Sequence, residues 1–190
     1  MTTTAHSTAS RRAPQWGLAV VTLVALAVGG MLAAFALAHP GDRATLFTLG
    51  FSAVLPMKSW LTTAAAALVI VQVLSALAMW GKLPGVTSTP SWVSGLHRWS
   101  GTVAFVLTVP VAFTCMWSLG FATYSPRVLV HSILGCALYG VFAAKMLALR
   151  MHRLPGWVVP VLGGLLAAVI TGLWFGAAFW YFTSGIGPTI

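Results

Sequence analysis

Acidic residues are almost absent from this chain. Asp42 is the single carboxylate among 190 residues, against ten lysines and arginines, so the formal net charge is +9. Ion-coupled transporters and proton pumps usually carry carboxylates inside their membrane helices, so this scarcity argues against that class. The chain also shows no nucleophile–base pair and no phosphate-binding loop, which argues against a hydrolase or transferase. Its basic residues flank apolar segments and form no patch interleaved with aromatics, so they do not indicate nucleic-acid binding.

Cysteine is scarce as well. The two cysteines, Cys115 and Cys136, both fall inside apolar segments and form no Cys-x-x-Cys motif. They therefore predict neither a disulfide framework nor a thiol metal site, and we interpret them as small apolar side chains.

Long apolar runs account for most of what remains, because 59% of the residues are hydrophobic and only 6% are charged. About 20 helical residues cross the hydrocarbon core of a bilayer. Five runs have this length, at 16–37, 59–80, 96–119, 128–149 and 157–182. The sequence therefore predicts an all-α, polytopic membrane protein: a five-helix transmembrane domain over 16–183, a disordered N-terminus over 1–15 and a short tail over 184–190. The first run is too long for a signal-peptide core, so we expect it to be retained.

Three local features refine the spans. The loop over 43–58 is semi-polar and is either irregular or contains a short interfacial helix. Pro110 lies inside the third run, where proline usually kinks a helix. Gly172 and Gly176 form a Gly-x-x-x-Gly pair in the fifth run, which favours close helix contact.

The basic residues predict the orientation of the bundle. With the N-terminus inside, seven lie on the inner side, namely Arg11, Arg12, Lys82, Arg98, Lys145, Arg150 and Arg153. Three lie on the outer side, namely Arg43, Lys58 and Arg127. Since cytoplasmic loops carry the excess of lysine and arginine, we expect a cytoplasmic N-terminus and an external C-terminus in a bacterial plasma membrane.

Two apolar segments open in the same way, with histidine followed four residues later by glycine. These are His97 with Gly101 and His131 with Gly135. Residues four apart share one helix face, so each pair offers an imidazole beside a gap where a flat ring could approach the backbone. This arrangement favours haem binding, with His97 and His131 as metal ligands. The alternative is a capping histidine with a glycine used for helix packing.

The topology separates these two histidines. His97 opens the third span near the inner surface and His131 opens the fourth near the outer surface, roughly 25–30 Å apart at 1.5 Å per residue. They cannot ligate one iron, so two haems, or one haem with another second ligand, are the consistent versions. His39 lies at the depth of His131 on the outer side, and His152 lies at the depth of His97 on the inner side. Both are candidate second ligands, although both lie in turns.

At these residues the sequence resembles the cytochrome b561 family of transmembrane electron carriers. Leu96-His97-Arg98-Trp99-Ser100-Gly101 is similar to the family's Leu-His-Ser-Trp-x-Gly string, and Val130-His131 through Gly135 is similar to its next ligand helix. The resemblance covers the third and fourth spans, and implies one or two haem b groups. The sequence differs from that family in the first two spans. The family has haem ligands there, whereas these two spans contain no internal histidine. The whole chain also resembles an uncharacterised family of short five-span bacterial membrane proteins.

Three functions follow as expectations. The first is a b-type cytochrome that passes electrons across or along the bilayer, between a quinol and another respiratory redox partner. The second is a cofactor-free accessory or structural subunit of a larger membrane complex, whose small-residue helices pack against its neighbours. A transporter or channel is the third.

Overall fold

The computed structural model describes residues 15–41, 45–86 and 88–185. This part of the chain is helical and contains no strand. The helices are α1 (Gln15–Ala38), α2 (Val54–Met79), α3 (Trp92–Leu119), α4 (Pro126–Ala148) and α5 (Val158–Thr183). Each is long and apolar enough to cross a membrane, which confirms the predicted all-α, five-helix, multi-pass membrane protein. Most of the predicted disordered N-terminus and of the tail lies outside the described residues, and Gln15 already belongs to α1.

Two helices begin earlier than their apolar runs. Helix α2 begins at Val54 rather than 59, and α3 begins at Trp92 rather than 96. Apolar content marks only the part of a helix that lies in hydrocarbon, whereas backbone hydrogen bonding continues through polar residues at the membrane surface. No helix forms over 45–53, because Leu49 and Gly50 both have positive φ, at 50° and 87°. Left-handed backbone interrupts a helix, so an interfacial helix is absent from that stretch.

The five helices are antiparallel along the chain and form a ring in the order α1, α4, α5, α2, α3. The ring closes where the end of α3 meets the end of α1. There the backbone N–H of Phe121 donates to the carbonyl of Ala36 at 3.1 Å. We call this the His131 end of the bundle, where α2 and α4 begin; the opposite end is the His97 end.

Glycine sets the spacing between neighbouring helices. A Cβ on Gly140 of α4 would collide with the carbonyl oxygen of Ala25 on α1. Gly172 and Gly176 of α5 both face α4, where a Cβ would lie 3.0 Å from Leu134 and 3.7 Å from His131. The close contact predicted from the Gly-x-x-x-Gly spacing is therefore confirmed, and it brings α5 directly onto His131.

Two helices widen to π geometry, and both do so at the His131 end. One segment is Cys115–Leu119 in α3 and the other is Trp174–Phe179 in α5. The first follows Pro110, which has no N–H to donate, and the hydroxyl of Thr114 donates to the Pro110 carbonyl at 2.9 Å. Such π segments occur frequently at functional sites, and both of these border the cavity described next.

Candidate functional site

A cavity of about 420 Å³ lies inside the ring at the His131 end. All five helices and the connection between α3 and α4 line it. Most of the lining is apolar, and it includes residues of both π segments. A concave, mainly apolar space with a few polar groups is the usual form of a small-molecule or cofactor site.

His131 lines this cavity from the second turn of α4. Its Nδ1 atom is buried and has no hydrogen-bond partner among the described residues. One turn deeper, nothing lies within 4 Å of the position that a Cβ on Gly135 would take. His131 and Gly135 therefore both border open space at this end of the bundle. A planar cofactor with an imidazole ligand is compatible with these residues.

Two cations line the same cavity. Lys58 extends into the cavity from α2 and is half-buried. Arg127 extends into it from the first turn of α4. Arg127 donates through Nη1 to the carbonyl of Gly176 at 2.6 Å, and its guanidinium lies 4.1 Å from the ring centroid of Trp180. No acidic residue lines the cavity in the part of the chain that the structure describes. The site is therefore positively charged at its polar end.

Two other polar side chains in the cavity wall, those of Tyr139 and Ser132, are hydrogen-bonded within the bundle. The Tyr139 hydroxyl donates to the carbonyl of Thr108 at 3.0 Å, linking α4 to α3 toward the middle of the bundle. The Ser132 hydroxyl donates to the carbonyl of Ala122 at 3.1 Å. His131 differs from these groups, because its buried Nδ1 has no hydrogen-bond partner among the described residues.

His97 sits in a different environment, inside a polar network between α2 and α3. Its Nδ1 lies 2.9 Å from the hydroxyl of Ser75, which itself donates to the Val71 carbonyl at 2.6 Å. The imidazole of His97 is therefore hydrogen-bonded to Ser75. The side-chain amide of Gln72 donates to the His97 carbonyl and to the Ser100 hydroxyl, the latter at 2.7 Å. This network holds α2 to α3 within the apolar bundle.

The gap predicted beside His97 is absent. A Cβ on Gly101 would lie 3.0 Å from Oε1 of Gln72, so the side chain of Gln72 fills the space that the glycine leaves. The prediction of open space beside Gly101 is wrong, because the histidine–glycine spacing describes α3 alone. The space beside Gly101 is filled by a side chain of the neighbouring helix α2. A lone amide in an apolar span is the signal that could have revealed this, since such groups seek partners on adjacent helices.

The other two candidate ligands, His39 and His152, lie away from both of these histidine–glycine pairs. His39 is exposed at the end of α1, where its Nδ1 is 2.9 Å from the Phe35 carbonyl and its ring stacks on Phe35 at 4.1 Å. It does not line the cavity of His131. His152 is exposed in the turn after α4, beside Arg153. In the described ranges, no three side chains of histidine, cysteine, aspartate or glutamate come close enough to hold a metal ion.

Three cavity residues were not assigned to the site from sequence. From the sequence, Lys58 counts only as a basic residue of the outer side, and Cys115 and Cys136 as small apolar side chains, yet all three line the cavity. The sequence places them at suitable depths but does not show which way their helices are turned.

Comparison with known proteins identifies a family without a known activity. Nothing matches this chain among curated proteins or among solved structures. A family of unknown function, DUF6529, matches residues 17–188, which include all five helices apart from the first two residues of α1. This fits the resemblance of the whole chain to an uncharacterised family, while the resemblance to cytochrome b561 stays a hypothesis. The chain belongs to the DUF6529 family of unknown function.

Proposed function

We propose that the protein is a membrane b-type cytochrome that holds one haem in the cavity at the His131 end. The observation that carries this proposal is the unpaired, buried Nδ1 of His131 beside the open face of Gly135. An unmet buried polar atom costs about 1–3 kcal/mol, so an imidazole left in this state favours an occupant of the cavity.

The chain's own residues would hold such a group in defined ways. His131 supplies an imidazole ligand, Gly135 leaves room for the ring, and the apolar wall excludes water. Lys58 and Arg127 would offset the two carboxylates of the haem. When bound, the haem supplies an iron that gains and loses one electron. Burial and the nearby positive charge set the potential of such an iron.

One haem agrees better than two with the packing at the His97 end. His97 is hydrogen-bonded to Ser75, and Gln72 fills the space beside Gly101. No second histidine lines the cavity among the described residues. We therefore assign the single imidazole ligand to His131 and a structural role to His97, and the positions of His39 and His152 do not support them as second ligands.

The membrane orientation determines which partners such a haem would meet. The excess of basic residues at the His97 end supports a cytoplasmic N-terminus in a bacterial plasma membrane. The His131 cavity then lies near the outer surface, where a quinol or an external respiratory redox partner would exchange electrons with it.

A matched pair of variants tests the assignment. His131→Ala should abolish the haem absorbance of the purified protein, because it removes the ligand. His97→Ala should keep that absorbance, because it removes only a hydrogen bond to Ser75. Absorption spectra of both variants, normalised to protein, give the answer. Equal loss in the two variants, or loss only in His97→Ala, would contradict the proposal.

The cofactor-free subunit is the second candidate, and the exposed surface of α1 favours it. Leu23, Leu26 and Met31 expose 63%, 67% and 64% of their surface, so one face of α1 is free to meet lipid or a neighbouring subunit. If protein from haem-replete cells has no haem absorbance, this candidate leads. Co-purification with respiratory components from mildly solubilised membranes is then its test.

A further inference from the structure

A second concave site lies at the opposite end of the bundle, where α1 begins. We call it the Trp16 groove. It has a volume of about 330 Å³ and is lined by Trp16, Gly17, Met151, His152, Arg153 and Leu154. It is separate from the cavity of His131 and shares no residue with it.

Close packing between α1 and the turn after α4 forms the groove. A Cβ on Gly17 would lie 3.0 Å from Leu154 and 3.4 Å from Met151, so glycine permits this approach of the two segments. Met151 and Leu154 in turn pack on a buried cluster that includes Val21 and Ala148. The floor of the groove is therefore apolar and is held in place by the core.

The rim of the groove has the opposite character. His152 and Arg153 are both exposed there. The sequence supplies no nearby carboxylate, since its only acid, Asp42, follows the other end of α1. An arginine without an acidic partner in the chain attracts anions from outside it, and an exposed imidazole beside it offers a further hydrogen-bonding group.

The position of the groove indicates where that anion comes from. It lies at the end of two membrane-spanning helices, where the headgroups of a bilayer begin. Trp16, which is 61% exposed, borders it, and tryptophan is enriched at this level of a membrane. Basic pockets between transmembrane helices are a known form of anionic-lipid site. A basic rim beside an apolar floor matches an amphiphile better than a free ion.

We propose that the Trp16 groove binds the headgroup of an anionic phospholipid. The phosphate pairs with Arg153 and His152, and the first apolar part of the lipid lies on Trp16, Met151 and Leu154. This site does not depend on the proposed haem, because it lies at the other end of the bundle.

Native mass spectrometry of the full-length protein, delipidated in a neutral detergent, tests the proposal. The probes are phosphatidylglycerol, phosphatidylcholine and inorganic phosphate, each added alone. Phosphatidylglycerol should be retained, and phosphatidylcholine and phosphate should not. Arg153→Gln should weaken phosphatidylglycerol binding about fivefold, the effect expected for one basic residue near an anionic headgroup. His152→Gln offers a second, milder variant if Arg153→Gln does not fold.

Arg98→Gln is the matched control, because Arg98 is exposed near the same end of the bundle and does not line the groove. It should leave phosphatidylglycerol binding unchanged. An equal loss in Arg98→Gln would show a general attraction of basic residues and would overturn the proposal. Equal retention of phosphatidylcholine would show that the negative charge of the headgroup is not recognised and would overturn the proposal. Tight binding of inorganic phosphate alone would also overturn it, because the groove would then bind a free anion rather than a lipid.

Discussion

Two glycines in the same sequence pattern have different surroundings, and the difference lies in one side chain. Gly135 faces empty space, whereas Gly101 is covered by Gln72. Gln72 also ties α2 to α3 through the His97 carbonyl and Ser100. A hydrogen bond between membrane helices contributes about 1 kcal/mol. The same histidine–glycine spacing thus produces an open site on α4 and a closed polar network on α3.

Replacing each glycine by leucine should separate these roles. Gly135→Leu fills part of the cavity and should remove bound haem, with little effect on the fold because nothing lies within 4 Å. Gly101→Leu displaces Gln72 and should lower the stability by about 1–2 kcal/mol through lost hydrogen bonds, with haem kept. Thermal melting in detergent and haem absorbance, measured on both variants, check the two effects. Haem loss in Gly101→Leu alone would reverse the assignment.

At the scale of the helices, the apolar runs predict the number and approximate position of the spans, because hydrocarbon requires about 20 apolar residues. They do not predict where α2 and α3 begin, because Lys58 and Ser94, within the first five residues of these helices, interrupt the apolar runs. Nor do they predict the order of packing. Small residues occur throughout a chain with 19 glycines, so the close contact at Gly140 is visible only in the structure. The spacing predicts that His131 and Gly135 share one face of α4, whereas the direction of that face and the roles of Gln72 and Lys58 depend on neighbouring helices.

The contact between α1 and α4 gives a prediction at this scale. Gly140→Ala should destabilise the protein by about 1–3 kcal/mol, because the added methyl meets the Ala25 carbonyl and forces the helices apart. Gly30→Ala is the control, since Gly30 lies on α1 with nothing within 4 Å. It should be neutral or slightly stabilising, because alanine favours a helix over glycine. Melting temperatures in one detergent compare the two, and an equal loss of stability would show that the contact is not tight.

The whole molecule has two ends of different character. The His131 end holds the cavity with Lys58 and Arg127, and the His97 end holds the polar network and the Trp16 groove. Seven of the ten basic residues belong to the inner side in the proposed orientation. The cavity and the Trp16 groove lie at opposite ends of the bundle and, in that orientation, toward opposite surfaces of the membrane.

Reporter fusions test the orientation. An alkaline phosphatase fused after Ile190 should be active, because that enzyme requires export, whereas the same reporter inserted in the 82–95 loop should be inactive. A cytoplasmic reporter at the same two positions should give the reverse pattern. If both sets place the loop outside, the positive-inside argument fails for this chain, and the cavity faces the cytoplasm.

The central claim is that the five-helix bundle holds one haem at His131. Its most direct test is the haem-to-protein ratio of the full-length protein purified from haem-replete cells, measured by absorption in the oxidised and reduced states together with a quantitative protein assay. We predict one haem per chain, with a Soret band and a reduced α-band. A ratio of two would restore a second centre at His97, and the absence of both bands would contradict the account.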